Sequence, residues 1–371
     1  MSTTRVVVIA AGSHIFGAAH APALEAADAE VVGLYDIDRA RADAVGASRG
    51  WPGVDSLEDL LGLGADLAVI ASPHPLHAEL AERALGAGMH VLIEKPLAAR
   101  PSEALRIAAA ARAAGRTAAV ALQHRFRAEV VAARRVLADG GIGDLQRAVV
   151  VATYPKRAAY YRAAPWRGTW AGEGGGVLLN QGQHDLDTLV HVAGMPVRAM
   201  GWARTRVLPI ETEDTVEAIL EWPGGATGSV YVSSAASDPP TRIELIGSRG
   251  ALRITPGALE VTRHPEDFAS FASGEGGPFD VFERGEPETS PGGGGTHAEI
   301  YADLFAAIAE GRDPRATAAD ALPALELTAS IILSSSRDAP VSLPLDPAEY
   351  DAFLTERSLG HHVPAIPGVP S

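Results

Sequence analysis

Short runs of aliphatic and β-branched residues recur along the first third of the chain, at 6–10, 30–35, 66–71, 90–93 and 117–121. Apolar residues follow one another in these runs with little alternation, which suits strands buried on both faces of a sheet. Segments with helical apolar spacing lie between them, at 39–47, 75–85 and 102–114. Strand and helix in regular alternation predict right-handed crossovers and a doubly wound parallel sheet of the Rossmann kind. Pro22 should end or kink the first helix soon after it starts, because proline lacks the N–H and its ring crowds the preceding turn.

The pattern changes after Arg125. A helix over 128–137 stops at Asp139-Gly140-Gly141. Strictly alternating segments follow at 215–221 and 227–233, separated by Pro223-Gly224-Gly225, and a second pair, 242–246 and 251–254, flanks 247–250. Hairpins with few helices predict an α+β domain built on an open, mostly antiparallel sheet. The Gly-, Pro- and acid-rich stretch 265–296 reads as a surface loop, and two helices, 297–310 and 318–334, follow it. The fold class is therefore α/β: an N-terminal Rossmann sheet over residues 1–124 and an α+β domain over 125–371, whose last helices are free to pack back on the first.

A chain of 371 residues exceeds one ordinary core, in keeping with two domains. The net charge of −15 repels polyphosphate and argues against nucleic acid as a partner. With no cysteine, thiolate metal sites, disulfides and cysteine nucleophiles are excluded. Neither a signal peptide nor a membrane span is readable, which makes a cytoplasmic protein the expectation.

The first strand runs into Gly12-Ser13-His14-Ile15-Phe16-Gly17. A dinucleotide loop wants glycine at its first, third and sixth places, for the turn, for close approach of the pyrophosphate and for helix packing. Gly12 and Gly17 match the first and last; His14 stands at the middle. Asp36 ends the second strand, where a carboxylate accepts from ribose hydroxyls, or it caps the helix before Arg39. A 2′-phosphate beside that carboxylate would meet about 4 kcal/mol of repulsion per unit charge pair, which favours NAD over NADP. Arg39 nearby would offset part of it.

The fourth strand leads into Glu94-Lys95-Pro96. A cation at the carboxyl end of a parallel strand sits where ligands bind, though a surface ion pair would read the same way. Taken with Ser72-Pro73-His74-Pro75-Leu76-His77, and with His20-Ala21-Pro22-Ala23-Leu24 after the loop, the chain resembles the Gfo/Idh/MocA oxidoreductases, the glucose–fructose oxidoreductase and inositol dehydrogenase relatives. The resemblance implies a catalytic Lys95 and admits a cis peptide at Lys95-Pro96. It also implies a cofactor surface made of Gly12, Ser13, His14, Ile15, Gly17, Asp36, Ser72, Pro73, His77, Glu94, Lys95 and Gln123. His14 departs from the family's loop.

In the second domain, Asn180, His184 and Asp187 share one face of a helix expected to start near Asn180. His184 is either a satisfied buried histidine or, as the resemblance implies, the acid/base that takes an alcohol proton. Relatives often carry aspartate at Asn180; asparagine holds no charge, so here it is expected to hydrogen-bond substrate, with Asp187 orienting. Upstream, Tyr154, Tyr160, Tyr161, Trp166 and Trp170 interleave with Lys156, Arg157, Arg162 and Arg167, and no acid interrupts them. Such a segment packs a loop with solvated arginines, or binds a sugar ring on aromatic faces and an anion on the guanidinium forks. Tyr154, Tyr161, Trp166 and Arg167 are the expected substrate contacts. His74 and His77 lack a third ligand, so no metal is expected. His191, a further turn along, reads as structural.

These residues point to NAD-dependent oxidation of a secondary alcohol on a sugar, cyclitol or nucleotide sugar, or the reverse reduction. Two other readings stay open: cleavage or elimination of a glycoside through transient ring oxidation, and a dinucleotide-binding sensor without chemistry. An open sheet with one uncovered face predicts a homodimer or homotetramer.

Overall fold

The computed structural model describes residues 3–237 and 241–359. The first sheet is wholly parallel, in the order β2-β1-β3-β4-β5, with β1 Arg5–Ile9, β2 Glu30–Tyr35, β3 Leu67–Ile70, β4 His90–Ile93 and β5 Ala118–Val120. Val6, Val7 and Val8 are fully buried, as are Leu67, Val69 and Leu92, because helices cover both faces. The order reverses between β1 and β3, and the carboxyl ends of β1 and β4 open on that side, where such sheets bind ligands.

The second sheet has nine strands: β6 Leu145–Thr153, β7 Arg198–Arg204, β8 Thr215–Glu221, β9 Thr227–Ser233, β10 Arg242–Gly247, β11 Gly250–Thr255, β12 Ala258–Arg263, β13 Pro287–Pro291 and β14 Val341–Ser342. Their order is β13-β12-β11-β10-β6-β9-β8-β7-β14, antiparallel except where β6 meets β9. Helices Ala128–Ala138, Gln183–Ala193 and Ala318–Arg337 cover one face and share a core with Leu186, Leu189, Val230, Leu245 and Ile331. The other face is open and carries Trp202 and Ile219, 38% and 53% exposed.

Three differences from the sequence reading have physical causes. The longest strand, β6, shows no clean alternation, because Val149 and Val151 on the open face are as apolar as Val150 on the covered one. The stretch 265–296 is not all loop: it contains the Phe268–Ser273 helix and edge strand β13, whose Pro-Glu-Thr-Ser-Pro composition hides it. Pro22 neither ends nor visibly interrupts its helix. A wide turn, Phe16–His20, precedes it, the amide of Ala21 bonding back five residues to Phe16, and Pro22 falls in the first turn of Ala21–Ala26.

The late helices do pack on the first domain. The amide of Val120 donates to Ala316 at 2.9 Å, and Ala318, Ala321 and Leu325 join the first domain's core, as Ile300, Tyr301 and Leu304 do on its other face. Among the described residues no helix is long and apolar enough to cross a membrane.

Candidate active site

The turn after β1 is made by Ala10, in the left-handed region at φ 63°, and not by Gly12. The bare Cα of Gly12 is needed for another reason. A Cβ there would sit 2.8 Å from Asp36 Oδ2 and 2.6 Å from the Arg41 Cβ. Gly17 has no atom within 4 Å of such a Cβ, so close packing is not what requires glycine there. Helical backbone starts at His14, which with Ile15 is exposed, and the first amides of a helix have no partner within it, as an anion site requires. Asp36, 7% exposed, accepts from the Gly12 amide at 2.8 Å through Oδ2 and from the Asp38 amide at 3.0 Å through Oδ1, which leaves acceptor capacity on the carboxylate. The cap of the next helix is Asp38, which accepts from Ala40. Arg39 does not offset Asp36, since it is engaged by Asp43 and Asp55; Arg41, bonded to the Gly12 carbonyl, is the nearer cation. Bare backbone, helix start and half-used carboxylate suit an NAD adenosine and pyrophosphate.

After β4, Lys95-Pro96 is cis. The Lys95 ammonium donates to the Asn180 carbonyl at 2.8 Å and to its side-chain oxygen at 3.2 Å. Burial pulls the Lys95 pKa down, Glu94 and Glu173 oppose this, and Arg167 and Lys156 add to it. Glu94 lies behind. One of its oxygens accepts from His20 at 2.8 Å and from His297 at 3.2 Å, the other from the Lys95 amide at 3.2 Å. Burial works to raise its pKa, yet the bonds from His20 and His297 hold it well below the usual range. His20, Glu94 and His297 present ligand atoms within 4.8 Å of one another, and as arranged they form a hydrogen-bonded network closed by the Tyr301 hydroxyl on His20 at 2.8 Å.

Glu173 was not anticipated. It is 1% exposed, with one oxygen on the Asn180 side-chain amide and the other on the Gly168 amide at 2.6 Å, and burial raises its pKa. A signal existed: it is the only acid between Asp144 and Asp185, set directly before Gly174-Gly175-Gly176.

Asn180 and His184 do not share a helix. Asn180 ends the short turn Val177–Asn180, and a new helix starts at Gln183. His184 nevertheless faces the first domain. Its Nε2 lies 3.4 Å from the Gln123 side-chain nitrogen, and its ring stacks on His124 with centroids 4.3 Å apart. Its Nδ1 is buried without a hydrogen-bond partner among the described residues. Burial, then His124 and Lys95, depress the His184 pKa well below the histidine norm. A buried nitrogen without a partner is uncommon, and an imidazole whose cation is disfavoured has the chemistry of a proton acceptor.

Several expected substrate contacts lie elsewhere. Asp187 forms a buried two-pronged pair with Arg125, at 2.6 and 2.9 Å, so it fixes the helix and does not orient His184. Tyr154 donates to Asp185, and Tyr161, 7% exposed, bonds Ser234 at 3.1 Å within the core. Trp166 lies edge-on to His74 at 5.6 Å and faces Arg167 at 4.4 Å. His74 meets the Glu173 carbonyl at 2.9 Å, and His77 has the carbonyls of Ser72 and Pro96 at 2.9 Å, so both clamp the Ser72-Pro73 loop. His191 meets Arg134 at 3.4 Å.

A parallel dinucleotide-type sheet with a half-buried lysine at its ligand edge, met by an imidazole from a helix packed on the nine-stranded sheet, is the architecture of the two-domain NAD-binding oxidoreductases. Residues 4–122 match the oxidoreductase family with an NAD-binding Rossmann fold, and residues 130–253 match the GFO/IDH/MocA C-terminal domain. The chain belongs to the Gfo/Idh/MocA oxidoreductase family. It is 30% identical to inositol 2-dehydrogenase 2 of Saccharopolyspora erythraea, over 71% of this chain and 76% of that protein. It is 34% identical to a putative UDP-kanosamine synthase oxidoreductase subunit of Amycolatopsis mediterranei, over 52% of this chain and 51% of that one. With that protein and several other curated relatives, the match spans about half of the relative's length. Among solved structures, the WlbA dehydrogenase of Bordetella pertussis, in complex with NADH and UDP-GlcNAcA, superposes with a TM-score of 0.79. It is 27% identical and the likeness covers 93% of this chain and all of that one.

Proposed function

We propose that this protein oxidises a secondary alcohol on a sugar-like ring, or reduces the matching ketone, with NAD as its redox partner. The observation that carries this reading is the pairing of Lys95 with Asn180 near His184, whose Nδ1 has no hydrogen-bond partner among the described residues and whose cation burial disfavours. In the oxidation direction Lys95 would hold the reacting oxygen, and His184 would take its proton. Asn180 positions the ammonium through two oxygens, and Glu173 and Glu94 keep it charged against burial. Gly12, the first amides of the His14 turn and Asp36 would hold the dinucleotide, with Ser72, Pro73 and Gln123 bordering the nicotinamide and the buried His77 holding the Ser72 loop from behind. When bound, the nicotinamide supplies hydride exchange; the chain supplies placement and proton transfer.

The relatives named for inositol and UDP-sugar chemistry support a polyhydroxylated substrate. Residues 1–124 would serve as the dinucleotide domain and 125–371 as the substrate and assembly domain; both outer limits lie beyond the described residues. The open face bearing Trp202 and Ile219 would be covered by a second copy in a homodimer. The test is a screen of inositols, pyranosides and nucleotide sugars with NAD, following NADH, for wild type and Lys95→Ala. A wild-type rate in the variant would refute the reading.

A further inference from the structure

Arginines and lysines that leave the surface are ion-paired over most of this molecule. Arg5, Arg49, Arg83, Arg100, Arg125 and Arg242 each have a carboxylate oxygen within 3.9 Å. Four buried or half-buried cations have none among the described residues: Lys95, Arg127, Lys156 and Arg167. All four gather at one place. Lys95 feels the charges of Arg167 and Lys156, and His184 feels those of Lys95 and Arg127. In a chain of net charge −15 this is a local reversal of sign. Glu94 and Glu173 offset part of the charge on Lys95, but their oxygens are held by Asn180 and Gly168 and by His20, His297 and the Lys95 amide, so neither pairs directly with Lys156 or Arg167.

Two of the four share one aromatic ring. The Arg167 guanidinium lies 4.3 Å from the Tyr160 centroid and 4.4 Å from that of Trp166, and one nitrogen donates to the Tyr160 hydroxyl. Its remaining donors have no partner among the described residues, so the fork is held flat by aromatics and left open. The Lys156 ammonium lies 5.0 Å from the same Tyr160 centroid. That hydroxyl also receives Gln181 at 3.3 Å and Asn180 at 3.5 Å, and Asn180 holds Lys95. A charge seated on Lys156 and Arg167 would thus be one side chain from the reacting carbon.

We propose that Lys156 and Arg167 bind an anionic group of the substrate, a carboxylate or a phosphate, so that the site takes acidic sugar-like molecules in preference to neutral ones. This rests on the dehydrogenase reading and narrows its substrate class. The subsite is separate from the dinucleotide phosphates, which belong at the Gly12–His14 turn on the other domain.

The test assays the NAD-loaded protein on matched neutral pyranosides, uronates and pyranose phosphates. Charge-assisted hydrogen bonds contribute about 1.5–3 kcal/mol, so one acidic panel should exceed its neutral counterpart in kcat/KM by roughly 10- to 150-fold. The better of the two acidic arms identifies carboxylate or phosphate. Lys156→Gln and Arg167→Gln should each reduce that ratio, and the double variant should bring it near one. Lys156→Gln alone decides the matter if the arginine variants unfold on heating. A neutral substrate preferred, a ratio unchanged in the variants, or a loss that appears in the NAD Kd would overturn the proposal. If wild type oxidises no panel member, the dehydrogenase reading has failed on its own. The anion subsite is then judged by binding: glucuronate or glucose 1-phosphate should bind the NAD complex at least tenfold more tightly than methyl glucoside, and equal binding refutes it.

Discussion

Lys95 and Asn180 lie on different domains, and the ammonium of one meets both oxygens of the other, at 2.8 and 3.2 Å. The proposed reacting site would therefore be assembled across the junction of the two sheets' domains. Replacing Lys95 by alanine should lower kcat by about 10²–10⁴-fold, the range of a positioned proton-transfer or oxyanion-stabilising group. The NAD Kd, read by fluorescence titration, should change only a few-fold.

Glu173→Gln keeps the size and most hydrogen bonds of the side chain but removes its charge. Lys95 then loses one of the two carboxylates that oppose its downward shift. The basic limb of the kcat/KM profile should move to lower pH, with stability down by about 1–3 kcal/mol from the disturbed bond to Gly168. An unshifted limb would show that Glu173 is only structural.

His184 titrates well below an ordinary histidine because burial, His124 and Lys95 all disfavour its cation. As the proton acceptor it must be neutral, so alcohol oxidation should hold its kcat/KM at pH values below the usual histidine midpoint of about 6.5 and fall only in more acid solution. His124→Phe keeps the ring stack and removes one of these contributions, so the acid limb should move upward. A limb that stays put in a pH–rate series would count against this.

Asp185 is buried on the same helix with its pKa pushed up to about 7. A carboxyl with a raised folded-state pKa contributes stability that is fully present below its unfolded value of about 4 and is lost as pH rises through its folded value. Asp185→Asn should therefore flatten the decline in Tm between about pH 4 and pH 7. An equally steep decline in the variant would show that other groups govern it.

Arg125 carries the buried pair with Asp187 and also donates to the Asp320 carbonyl at 2.7 Å. Arg125→Ala leaves Asp187 uncompensated and should destabilise the protein by about 3–5 kcal/mol, measured by denaturant unfolding.

Most of the fold was legible because its strands repeat a simple pattern. β2, β4, β8 and β9 occupy the expected positions, since buried parallel strands are continuous apolar runs and half-covered antiparallel ones alternate. β6 escaped because apolar residues line both of its faces. Lys95 and His184 were found through motif resemblance, which carries spatial information that spacing does not. The assignments that moved, Asp187 to Arg125 and Tyr161 to Ser234, depended on partners 62 and 73 positions away. Pattern along the chain holds no record of such pairings. Glu173 was marked only by being a lone acid in a basic stretch.

The bond from Val120 to Ala316 has a consequence for how the protein can be taken apart. The dinucleotide module borrows part of its interior from sequence that arrives almost two hundred residues after its last strand. A fragment cut after residue 124 would leave that surface bare and should collect in inclusion bodies. A chimera that swaps the cofactor half between relatives would have to exchange the segment around 316–325 with it.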